Sequence, residues 1–171
     1  MGRITRCIIG VVPYCDKNGF CELSLGKESG EVTFATYRST TLLLDKLSLE
    51  QRLHGKDHIA IYLEDCRDQS SDYKTFGWRW VTRAILSSAN EQIYRLVSES
   101  LEEQEYHVTS VPSMKYPKLG AAEIYNTLNK SGFKSYKILS EDTQSNACSL
   151  ALYGYQNELR RSRCSPIKPS E

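Results

Sequence analysis

The feature that most constrains this chain is its opening, in which three β-type runs occupy the first 37 residues and are separated by two short turn sequences. Arg6 to Tyr14 and Phe20 to Leu25 flank Asp16-Lys17-Asn18-Gly19, whose Asn-Gly pair readily supplies the positive φ of a tight hairpin. Gly26-Lys27-Glu28-Ser29-Gly30 then leads into Glu31 to Tyr37, where Val32, Phe34 and Thr36 alternate with Thr33, Ala35 and Tyr37. The predicted start is a three-stranded meander. A sheet begun this way must bury an apolar face against another layer.

The later periodicities supply that layer. Ser39 to Leu53 suits a short amphipathic helix with Leu42, Leu43, Leu47 and Leu53 inward, capped by Ser39 or Thr40 and stopped by Gly55. His58 to Leu63 reads as a strand, Arg67 to Lys74 as a polar loop, and Thr75 to Trp80 as an aromatic strand in which Gly77 marks a bulge or a close backbone approach. Val81 to about Glu103 carries the strongest helical signal, with Val81, Ile85, Ala89, Ile93, Leu96, Val97 and Leu101 on one broad face. Tyr106 to Val111 is a further strand. Ala121 to Lys130 is a helix with Ile124, Tyr125 and Leu128 inward and Gly132 at its C-terminal cap. Phe133 to Leu139 and Ala147 to Tyr155 read as strands joined by a polar loop, Ser140 to Asn146.

The expected fold class is therefore α+β (mixed α/β), with a largely antiparallel or mixed sheet of about six to eight strands. One long and two shorter helices pack on one of its faces. At 171 residues the chain suits one globular domain, placed at residues 1–155, followed by a basic, disordered tail over 156–171.

Charge and cysteine usage narrow the functional classes. Lys plus Arg number 22 and Asp plus Glu 21, so the net charge of +1 leaves electrostatic function to local patches. The apolar run from Cys7 to Cys15 is too short to span a bilayer, and the first residues lack a secretory signal, which points to an intracellular protein, cytoplasmic or nuclear. Its six cysteines are then reduced thiols, with Cys7, Cys66 and Cys148 filling core positions. No C-x-x-C pair occurs, His54, His58 and His107 do not combine with one, and neither a metal site nor a cofactor is expected.

Phosphate-cradling glycine clusters and a nucleophile elbow are both missing from the sequence. One enzymatic constellation remains. His107-Val108-Thr109 on a strand places an imidazole and a hydroxyl on one face, an arrangement suited to phosphodiester hydrolysis and shared with two-histidine phosphoesterases. Those enzymes need two such motifs, and His58-Ile59-Ala60 has alanine where the second hydroxyl should stand. Glu64 with Asp65, and Glu102 with Glu103, are carboxylate pairs without a converging second set.

Trp78-Arg79-Trp80 is the most distinctive local feature, with both indoles on one face of a strand and Arg83 close behind. Facing outward, these rings make a stacking platform; facing inward, they belong to the core. Arg160, Arg161 and Arg163 form a basic cluster near the C-terminus, and Ser165-Pro166 beside it has the form of a proline-directed phosphorylation site. The leading functional expectation is a non-enzymatic binding or regulatory module that contacts RNA or protein through Trp78, Arg79, Trp80, Arg83, Arg160, Arg161 and Arg163. One alternative is a self-associating structural protein of viral matrix or accessory type. The other is a phosphodiester hydrolase using His107 and Thr109.

Overall fold

The structure, a computed structural model, describes residues 6–13, 17–27, 29–65, 91–135 and 139–164. The expected meander forms. Strands β1 (Arg6–Pro13), β2 (Asn18–Leu25) and β3 (Gly30–Tyr37) pair antiparallel, with Arg6 opposite Leu25, Pro13 opposite Asn18 and Cys21 opposite Phe34. Asn18 and Gly19, expected in the first turn, belong to β2, because backbone pairing continues to Pro13 and leaves only residues 14–17 as the connection.

Helix α1 (Thr40–His54) follows, with the Leu42 N–H donating to Ser39 Oγ at 3.2 Å and Gly55 at φ 79° closing its C-terminal end. Strand β4 (Ile59–Asp65) then lies parallel to β1, helix α2 covers 91–103, and β5 (Val108–Pro112) lies parallel to β4. Helix α3 (Ala121–Lys130) ends before Gly132 at φ 81° and leads into β6 (Phe133–Ser135), which pairs parallel to β3. The result is a mixed six-stranded sheet in the order β5-β4-β1-β2-β3-β6. The expected strand Thr75 to Trp80, the loop before it and the first part of the long helix lie outside the described residues.

Helices cover both faces of the sheet, not one. Cys7, Ile9, Val11, Phe20, Ile61 and Leu63 pack with Leu43 and Leu47 of α1 and with Tyr94, Val97 and Leu101 of α2. Ile8, Val12, Cys21, Leu23, Ala60 and Tyr62 face the other way, toward α3 and α4 (Asp142–Cys164). Period-two alternation sends successive side chains of β1 and β4 to opposite faces, and both faces are apolar because both are covered. The inward stripe of α1 also differs from expectation. Leu42 and Leu53 are exposed, and the buried line continues from Leu43 and Leu47 to Glu50.

Helix α4 carries the largest departure. Residues Ala147 to Tyr155, expected as a strand after a loop, form its middle, and residues 156–164, expected as the start of a tail, continue it. The run Ala-Cys-Ser-Leu-Ala-Leu-Tyr-Gly-Tyr is short and mostly apolar, a pattern that a strand and a buried helix share. Ala147, Leu150, Ala151 and Gly154 nevertheless recur at helical spacing, and the small side chains of Ala147, Ala151 and Gly154 let the helix backbone settle on the sheet. A Cβ built at Gly10 would lie 2.3 Å from the Ala147 carbonyl oxygen, and one at Gly19 would lie 2.2 Å from that of Thr143. Cys7, Cys21 and Cys148 are buried free thiols, as two of the three core cysteines were expected to be. Burial beside Cys148 pushes the Cys21 thiol far above its ordinary value. No helix among the described residues is long and apolar enough to cross a membrane.

This contact predicts that Gly10→Ala destabilises the fold by at least the upper part of the roughly 1–3 kcal/mol that overpacking costs, since the clash is with backbone. Gly120→Ala, where a Cβ meets nothing within 4 Å and only the N-cap of α3 is altered, should cost no more than about 1 kcal/mol. Urea denaturation of the two variants checks both.

Candidate functional site

At the amino ends of β1, β4 and β5, the C-terminal half of α4 crosses the sheet and leaves a cleft of about 200 Å³ lined by Arg6, Ala60, Tyr62, His107, Thr109, Glu158 and Arg161. Four separate segments meet there. His107 and Thr109 come from the edge of the sheet, one at the residue before β5 and one within it, and strand alternation puts both on the α4 side, as their spacing predicts. The Ile61 N–H donates to the His107 carbonyl at 3.0 Å and holds the backbone of this edge against β4.

The partner strand explains what the sequence left open. Thr109 pairs with Tyr62 in the parallel register of β4 and β5, so Ala60, the alanine in place of a second hydroxyl, lies one pleat away in the same cleft. Tyr62 supplies a phenolic hydroxyl nearby. Its ring packs where a Cβ on Gly154 would lie 2.5 Å away, and burial, then the Glu158 charge, raises its pKa, so the hydroxyl is protonated and able to donate at neutral pH.

Arg6 and Glu158 close one side of the cleft through a two-pronged ion pair, in which Arg6 Nη2 donates to Glu158 Oε1 at 2.7 Å and Arg6 Nε donates to Oε2. That hydrogen bond is the main reason the Arg6 guanidinium is held above its already high ordinary pKa. Arg161 stands one helical turn beyond Glu158 and adds positive charge to the same wall. The cleft thus combines fixed cations, two hydroxyls and an imidazole, which are donors suited to the oxygens of a phosphate ester.

A second polar group lies at the carboxyl ends of the parallel strands. Glu64, 5% exposed, accepts a hydrogen bond from the Tyr116 hydroxyl at 2.8 Å, and Lys118 Nζ lies 3.4 Å from the same oxygen and over the Tyr116 ring. Burial lowers the Lys118 pKa, and Glu64 opposes that shift. Asp65 does not join it as a pair, because neighbours on a strand point to opposite faces. Val111 stands directly opposite Glu64 on β5.

Of the binding residues named from the sequence, Arg161 lines the cleft and Arg160 is exposed on the same helix. Arg163 is also helical. Trp78, Arg79, Trp80 and Arg83 lie outside the described residues. Arg6, Tyr62 and Glu158 were missed. Glu158 and Arg161 carry an i,i+3 signal, but it has meaning only once residues 147–164 are read as a helix.

No family model matches the chain, and no curated protein matches it. Among solved structures, the chain is similar to RuvC of T. thermophilus in complex with a Holliday junction substrate, with a TM-score of 0.57 and 12% identity over 95% of this chain and 99% of that chain. At this identity the likeness shows the fold. It also corrects the leading functional expectation: a chain of this architecture, matched over nearly its whole length, is found holding a nucleic-acid substrate. The non-enzymatic binding module is therefore not carried forward as the leading reading.

Proposed function

We propose that the protein is a phosphodiester hydrolase acting on nucleic acid, with the scissile phosphate held in the cleft of Arg6, Tyr62, His107, Thr109 and Arg161. The observation that carries this reading is the convergence of His107 and Thr109 with two arginines and a tyrosine hydroxyl from other elements. Support for the substrate class comes from the fold, since RuvC of similar architecture is solved with a Holliday junction substrate.

The chemistry follows from the donors. Arg161 and Arg6 bind the non-bridging oxygens and offset the charge that builds on them as water attacks phosphorus. Thr109 and Tyr62 donate hydrogen bonds to the same group. His107 transfers the proton: a new P–O bond forms from water, the ester P–O bond breaks, and the imidazolium returns a proton to the leaving alkoxide. Glu158 holds Arg6 in place and limits the net charge of the cleft.

A second placement within the same reaction class is favoured by Glu64. It is a buried carboxylate at the carboxyl ends of parallel strands, where open α/β sheets usually bind ligands.

Cleavage of labelled single-stranded, duplex and four-way branched DNA and of RNA tests the proposal. His107→Ala is expected to lower turnover by about 10²–10⁴-fold, the usual worth of a positioned proton-transfer group. Unchanged turnover in this variant sinks the assignment. If Glu64→Gln abolishes cleavage while His107→Ala is silent, the reaction belongs at the carboxyl ends.

The charge balance gives a separate expectation. Glu158→Gln frees Arg6 from its partner, so nucleic-acid binding measured by fluorescence anisotropy should tighten at low salt and fall more steeply as salt rises. Arg161→Ala should reduce the salt slope by about one phosphate's worth. Both side chains of the Arg6–Glu158 pair are partly exposed, so the stability cost of Glu158→Gln should be below about 1 kcal/mol.

A further inference from the structure

On the opposite face of the sheet, beneath α1, four metal-ligating side chains converge that have no part in the cleft. Cys7 comes from β1, Glu22 from β2, and Glu50 and His54 from successive turns of α1. Their ligating atoms all lie within 4.8 Å of one another, and this is the one such group of three or more among the described residues. His54 Nε2 is 3.3 Å from Glu50 Oε2, and Cys7 Sγ is 3.7 Å from Glu22 Oε1.

We propose that Cys7, Glu22, Glu50 and His54 bind a single divalent transition-metal ion, zinc by the nature of the donors, and that the ion ties α1 to the sheet. Three observations carry this. The donors number four and combine one sulfur, one imidazole nitrogen and two carboxylates, a set that suits tetrahedral zinc and not the all-oxygen shells of magnesium or calcium. Zinc bonds of about 2.0–2.3 Å place tetrahedral ligands roughly 3.3–3.8 Å apart, so the side chains need close by only about an ångström. The two carboxylates are also buried side by side, Glu22 at 5% and Glu50 at 4% exposure, and with Lys46 offsetting one of them the second negative charge is costly to bury.

Lys46 bonds to Glu50, and Ser24 donates to Glu22 at 2.8 Å. Both partners are compatible with a metal, since a serine bonded to a ligating carboxylate orients it and Lys46, whose side chain is 25% exposed, has room to turn away from Glu50. His54, with its side chain 16% exposed, marks the route of entry. Binding of the ion would release the Cys7 thiol proton to solvent as the sulfur becomes a ligand.

The test uses the full chain stripped with a chelator and titrated with Zn²⁺ alone by calorimetry, with Co²⁺ as a spectroscopic probe. One zinc per chain is expected, together with a raised melting temperature. Bound cobalt should show tetrahedral d–d bands and a thiolate-to-metal charge-transfer band that is lost in Cys7→Ser.

His54→Gln, at the least buried of the four positions, should preserve folding and weaken zinc binding by more than the roughly 10–100-fold that losing an outer-shell partner costs. His58→Gln, outside the group, should leave it unchanged. Absence of stoichiometric binding overturns the proposal. So does binding that is insensitive to His54→Gln, or a cobalt complex without the sulfur band in the parent chain. If Cys7→Ser fails to fold, the parent cobalt spectrum and His54→Gln decide alone.

Discussion

The arrangement of this molecule depends on one close approach, that of the α4 backbone to the strands at Gly10 and Gly19. A helix normally rests on a sheet through side chains from both layers. Here the Thr143 and Ala147 carbonyls lie where Cβ atoms of the strands would otherwise be, so the helix axis is drawn toward the sheet and its path across β2, β1 and β4 is set. Gly154 continues the contact by admitting the Tyr62 ring. Glycine carries the cost of weakening a strand, and that cost is offset by the dense core of Ile8, Cys21, Ala60, Ala147, Cys148 and Ala151.

The path of α4 also creates the chemistry of the cleft. Because the helix crosses to the amino ends of β1 and β4, Glu158 meets Arg6 across 152 residues of sequence, and Arg161 meets the edge of the sheet that presents His107 and Thr109. Tyr62 is held between these groups by the same crossing. The sheet therefore separates two polar centres with different characters. On the α4 face is an open cleft of positive charge and hydroxyls, while the α1 face holds a covered group of a thiol, two carboxylates and an imidazole. Burial, with the Glu50 charge beside it, pushes the Glu22 carboxyl up to about 7, and burial beside Glu22 pushes the Cys7 thiol up to about 12.

Much of the architecture was legible from local chemistry. The meander followed from alternation and turn residues, α1 from Ser39 and Gly55, and α3 from Ile124, Leu128 and Gly132, since these signals act within a few residues of chain. His107 and Thr109 were visible as a pair for the same reason: strand spacing alone puts them on one face. Helix α4 was misread because a short, mostly apolar run fits a buried strand and a buried helix alike. What decides between the two periods is the partner surface, which a local pattern does not contain.

The sequence by itself determined the local periods, the caps, the mixed α/β class and the face shared by His107 and Thr109, because each is governed by sterics and hydrogen bonding between near neighbours. Tertiary structure alone decided that helices cover both faces, that Ala147 to Tyr155 is helical, and that Arg6, Tyr62 and Glu158 join the cleft. It also decided that Glu50 and His54 continue the buried stripe of α1 beside Cys7 and Glu22. These outcomes rest on contacts between segments far apart in the chain. Their energies depend on how surfaces fit, and no single stretch of residues encodes that fit.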